Sequence, residues 1–181
     1  MRRQGSTLDI VQALYDKLQQ VPDIVNAFEH RDGTAPALWL DWLTKTSEML
    51  KQFGFAESSA IAGIKADVLA KVAEKQSRKE KLVVLLSTIN PAQAIVLGLY
   101  TPLNEKVENV RTFLIQIINQ INDAGLLQYD SDIEFTVFIN SLFERLKSNE
   151  QLSSSINNAV SNLGHSDFLR ILAEVVASIT K

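Results

Sequence analysis

Apolar residues recur every three or four positions along almost the whole chain. No window alternates apolar and polar side chains with the period of two that a half-buried strand requires. The pattern predicts an all-α protein, a multi-helix bundle or orthogonal helical array of eight or nine helices.

Leu8, Val11, Leu14 or Tyr15, and Leu18 form the first stripe, with Thr7 placed to cap it. Pro22 suits a first helical turn, so a short second helix is predicted from there to about His30. Arg31-Asp32-Gly33 reads as a turn. Thr34 then caps a third helix whose inner face is Leu38, Trp42, Met49 and Phe53, and Gly54 stops it. A fourth helix begins near Glu57 or Ser58 on Ile61, Ile64, Val68 and Val72. It either continues through the charged patch 74–81 to Ile89 or bends near Ser77. Its small residues Ala60, Ala62, Gly63, Ala66 and Ala70 permit close approach of a neighbour.

The longest uncharged run follows, Leu82 to Asn104, between Lys81 and Glu105. Asn90 caps and Pro91 opens a helix in its middle, and Pro102 interrupts it, with a break or kink near Tyr100-Thr101. The pieces are too short to cross a bilayer singly, since a spanning helix needs about 20 apolar residues. The run therefore reads as two short helices meeting at a corner, with Val84, Leu85, Ile95, Val96 and Leu99 buried.

Beyond Pro102 a long helix is predicted over 103–124 on Val107, Val110, Leu114, Ile117 and Ile121, ended by Gly125. The next begins near Ser131 and carries Phe135, Phe138, Ile139, Leu142, Phe143 and Leu146. A polar helix spans 152–163 and stops at Gly164. Ser166 caps a last helix on Phe168, Leu169, Leu172, Val175, Val176 and Ile179. With only 7 Gly and 4 Pro, the connections are short. The whole reads as a single all-α domain over 1–181, and 90–102 is the place for a two-lobed division.

Composition narrows the chemistry. The chain has no Cys, which removes thiol nucleophiles, disulfides and thiolate metal sites together. No apolar segment follows Arg2-Arg3, so no secretory signal is read and a cytoplasmic location is expected. His30 and His165 sit singly at helix ends, with no metal-binding pair. Asp130-Ser131-Asp132 opens like a calcium loop, but Phe135 stands where that loop needs Gly and Ser141 where it needs a bidentate carboxylate. There is no nucleophile elbow and no glycine-rich phosphate loop. Residues 158–170 have the outline of a helix-turn-helix that would aim Asp167, Phe168 and Arg170 at base edges. Too few cations surround it for phosphate contacts, and no nucleic acid is expected as partner. The patch Lys71, Lys75, Arg78, Lys79 and Lys81 contains Glu74 and Glu80 and reads as a solvated face.

The expectation is a non-enzymatic helical protein without cofactor, metal or catalytic residues. It would act through protein–protein contact and self-associate as a homo-oligomer. The candidate interface residues are Phe113, Ile118, Phe138 and Phe143, where apolar stripes are wider than one core needs, and Trp39 and Trp42, where an exposed tryptophan would anchor an interface. Of the tryptophan pair, one can be core and the other exposed. The alternative is a membrane-active or secreted protein whose apolar hairpin 82–101 inserts into lipid. A further alternative is a small apolar ligand held between helices, met by Asn90, Gln93, Tyr100 and Asn104.

Overall fold

A computed structural model describes residues 5–75, 77–129 and 132–179. Among these the chain is an all-α bundle of eight helices: α1 (Thr7–Glu29), α2 (Ala35–Gln52), α3 (Ser58–Glu74), α4 (Arg78–Leu86), α5 (Ile89–Asp123), α6 (Phe135–Ser148), α7 (Ser153–Leu163) and α8 (His165–Ile179).

The helix stops follow backbone chemistry. Gly54 takes φ +75° after α2, its N–H bonds the Lys51 carbonyl, and Phe55 N–H reaches back to Leu50. This pair of bonds satisfies carbonyls that the helix end would otherwise orphan. After α1 the same pair is made by Arg31 and Asp32, with Arg31 rather than a glycine in the left-handed region at φ 57°.

The chain is not interrupted at either proline. α1 runs through Pro22 and α5 runs through Pro102. Val21 and Ile24 beside Pro22 are buried in line with Leu14, so packing on both sides of the proline holds one helix where local preference favours two. The break in the uncharged run lies instead at Ser87-Thr88, before Asn90. Thr88 N–H bonds the Leu85 carbonyl, and Ala92 N–H already bonds Thr88 in helical register. α3 does not run into α4. Lys75 is extended at ψ 136°, and Ser77 caps α4. Thr34 stands at the N-cap of α2 without a side-chain cap bond; its own N–H donates to Asp32 Oδ1 at 2.8 Å. α8 starts at His165, one residue ahead of the expected Ser166 cap. The expected start of α6 at Ser131, and the Asp130-Ser131 pair of the calcium-like sequence, lie outside the described residues. α6 begins at Phe135.

The chain divides into two compact units. Among the described residues the first comprises Gly5 and 9–102, and the second comprises Ser6–Leu8 and 103–179. In the first, α3 packs on α2 and α4 packs on α3. Its core holds Ile10, Leu14, Trp39, Trp42, Leu43, Leu50, Ile61 and Val68. The inner face of α2 is therefore Ala35, Trp39, Trp42, Leu43, Thr46 and Leu50. The stripe predicted through Leu38 is one position out of register, and Leu38 is exposed. In the second unit α6, α7 and α8 pack on one another. Leu114, Ile118, Phe143, Ile156, Phe168 and Ile171 fill its core.

Candidate docking surface

Four of the six residues expected at an interface lie inside their units. Trp39, Trp42, Ile118 and Phe143 are almost completely buried. Both tryptophans are core, contrary to the expected division of roles. Their rings stack with centroids 4.9 Å apart and planes 16° apart. Each indole N–H is satisfied, Trp39 Nε1 donating to Thr88 Oγ1 at 3.0 Å and Trp42 Nε1 to the Lys17 carbonyl at 2.9 Å. A stacked pair with both donors paired gains by burial, which explains why the whole stripe turns inward. Phe143 packs edge-on to Phe168 and His165. Only Phe113 and Phe138 are half-buried. Phe138 joins Tyr129 and Phe135 in an aromatic cluster. Phe113 lines a surface groove of about 450 Å³ with Lys106, Asn109, Ser155, Asn158 and Asn162.

Asp167 and Phe168, read in sequence as possible base-edge residues, face the protein interior. The Asp167 carboxylate is 3% exposed. It accepts the Ser6 hydroxyl at 2.5 Å and the Thr7 N–H at 2.6 Å, so it caps the start of α1 from a distance of 160 residues along the chain. Arg170 lies beside both Ser6 and Asp167. His30, at the end of α1, places Nδ1 2.9 Å from the Asn26 carbonyl. Among the described residues no three His, Asp or Glu side chains gather as metal ligands. Of the residues suggested for a small-ligand pocket, Asn90 is exposed and Gln93, Tyr100 and Asn104 are half-buried. Tyr100 faces Tyr15 with ring centroids 6.1 Å apart.

The uncharged run is where sequence and structure differ most. Of the five side chains expected to be buried, only Leu85 and Val96 are; Val84, Ile95 and Leu99 are half-buried. Val83 is 60% exposed, Leu86 44% and Leu97 49%. By length and composition the stretch Arg78–Asp123 is apolar enough to cross a membrane, yet only 22% of its most apolar 18 residues are buried. An ordinary core helix of that composition hides most of its apolar side chains. The sequence hid this surface because a run without polar positions marks no solvent side. The signal that finds it is the stripe Lys79, Val83, Leu86 at helical spacing, which leads the exposed basic face straight into apolar residues.

The local chemistry of α4 sets that stripe. The Ser77 hydroxyl accepts the Glu80 N–H at 3.2 Å, and the Ser77 N–H donates to Glu80 Oε2 at 3.2 Å, a reciprocal cap. The Ser77 hydroxyl and N–H hold the Glu80 carboxyl below the ordinary glutamate range. Lys75, Ser77, Lys79, Glu80, Val83 and Val84 surround an open hollow of about 680 Å³. Two ammonium groups and two valines thus border one depression.

No known family model matches this chain, and no curated protein or solved structure matches it.

Proposed function

We propose that this protein works by docking, without chemistry of its own, and that its docking surface is the apolar face left uncovered on α4 and the first half of α5. The observation that carries this is the exposure of Val83, Leu86 and Leu97 within a run that has no charged residue. Covering such surface is worth about 25 cal/mol per Å² of apolar area, so a partner that fits it is bound without needing many polar contacts. The candidate interface thereby moves from the buried tryptophans to α4 and α5. Self-association into a homo-oligomer, expected from the sequence, is the second reading of this docking.

The test is independent of the partner. A solvatochromic naphthalene sulfonate dye reports accessible apolar surface. Wild type is expected to enhance its emission, and the variant V83S/L86S/L97S to lose most of that enhancement with unchanged helicity. A wild type that leaves the dye dark removes the proposal.

A further inference from the structure

We infer that the partner of this face is an anionic membrane surface. The inference rests on the docking reading and adds the partner to it. Residues 71–81 carry five cations against two carboxylates, a local excess of three in a chain whose net charge is −3. The next 23 positions carry no charge at all. An exposed basic segment running into an apolar one that leaves Val83, Leu86 and Leu97 exposed is the pattern of a protein that lies on lipid: cations meet phosphate headgroups and apolar side chains enter the acyl boundary.

The structure refines that count. Lys71 is paired with Asp67 at 2.7 Å, which leaves Lys75, Arg78, Lys79 and Lys81 as the main cationic contribution. Glu80 opposes them but is engaged by Ser77. Lys79, Val83 and Leu86 follow one another along one face of α4, and Lys75 joins Lys79 and Val83 around the hollow at its start. A membrane presents negative charge above hydrocarbon, in the same order along this stripe.

Two other occupants fit less well. A second copy of this chain, docked through α4 about a two-fold axis, would set this basic cluster against itself, and like charges across an interface are costly. A transmembrane course would require one unbroken helix. The break at Ser87-Thr88 is pinned by the Trp39 bond, so the contact is shallow.

Flotation of the full chain with vesicles tests this. One set is phosphatidylcholine alone, and the other contains about 30 mol% phosphatidylserine, giving the negative surface potential of an anionic leaflet. The protein is expected to float with the anionic set only, and to be released at about 0.5 M salt, where the screening length is only a few ångströms. Each lysine near such a surface contributes roughly a fivefold change in partition, so K75Q/K79Q is expected to weaken binding about 25-fold. V83S/L86S is expected to weaken it about tenfold or more. All these residues are exposed, so circular dichroism should show unchanged helicity in both variants. Equal flotation with neutral and anionic vesicles, or none with either, overturns the inference. If vesicles fail while the dye still reports the face, and V83S/L86S abolishes a concentration-dependent assembly seen by sedimentation velocity, docking stands with a protein partner. If the dye response is also missing, both fall.

Discussion

Trp39 donates its indole N–H to the Thr88 hydroxyl at 3.0 Å, and that hydroxyl donates onward to the Leu85 carbonyl at 2.7 Å. One side chain therefore satisfies a fully buried donor on α2 and the last turn of α4 at the same time. The corner of the uncharged run is fixed to the core through this relay and through the buried Leu85 and Ile89 beside it, while Val83, Leu86 and Leu97 face outward. Replacing Thr88 by Val keeps the shape and removes both roles. The buried indole is left without an acceptor, at a cost of about 1–3 kcal/mol. Urea denaturation is expected to show a lower midpoint for T88V, with T88S close to wild type. If T88V and wild type unfold together, the relay is not a stabilising contact.

How much of this was readable follows from which residues carry a local signal. Gly54, Gly125 and Gly164 mark three helix ends, and each has positive φ in the structure. Helical period alone identified α6 and α8. Pro22 and Pro102 misled because a proline's local preference was weighed without the packing on both sides of it. The tryptophan face of α2 was one position out because Leu38 and Trp39 are both apolar, and only the acceptors Thr88 and Lys17, distant in sequence, decide which turns inward. The docking surface was illegible for a related reason. Among Leu82, Val83, Val84, Leu85 and Leu86 the composition is uniform, so exposure depends entirely on what the fold brings alongside.

Pro102 supplies the next expectation. It lies within α5, where it has no N–H for the Gly98 carbonyl and its ring crowds that carbonyl. A proline in a helix interior costs about 3 kcal/mol relative to alanine. Pro102→Ala is expected to raise the denaturation midpoint by an amount equivalent to about 1–2 kcal/mol. A destabilised P102A would mean that the fold requires proline at this position.

Gly63 and Gly98 are exposed positions inside helices, and a Cβ on either meets nothing within 4 Å. Glycine in a helix costs roughly 1 kcal/mol against alanine, through backbone entropy. Each of G63A and G98A is therefore expected to stabilise the isolated chain by about 0.5–1 kcal/mol, read as a rise in melting temperature. A loss of stability at either would show that the glycine is covered in solution, pointing to an assembly through that face.

Asp167 is the acceptor that closes the second unit around Ser6–Leu8. Removing it with D167A leaves the Thr7 N–H and the Ser6 hydroxyl without their partner and empties a nearly buried position. The expected loss is about 1–3 kcal/mol, in the range for an N-cap and for an unsatisfied buried group. Asp167→Asn keeps one acceptor oxygen and should lose less. Amide hydrogen exchange at Thr7 gives a local readout: it should quicken in D167A, and unchanged protection there would deny the cap.

The reciprocal cap of Ser77 and Glu80 predicts a pH response. Bonds from the Ser77 hydroxyl and N–H favour the ionised carboxylate, so Glu80 in the fold titrates below an unfolded glutamate. A carboxylate with a depressed folded value contributes its stability above the unfolded value and loses it as pH falls through the folded one. The first turn of α4 should therefore loosen on acidification below the usual glutamate range. Asp32, lowered by its bonds from Thr34, acts with the same sign at the start of α2. Carboxyl carbon NMR of Glu80 is expected to give a midpoint below that of an ordinary glutamate, moving up toward it in S77A. The same protonation removes the only carboxylate in the basic hollow, so binding to anionic vesicles should strengthen at acid pH in wild type, and E80Q should show the stronger binding already at neutral pH. A Glu80 that titrates identically in wild type and S77A would break this chain of argument at its first link.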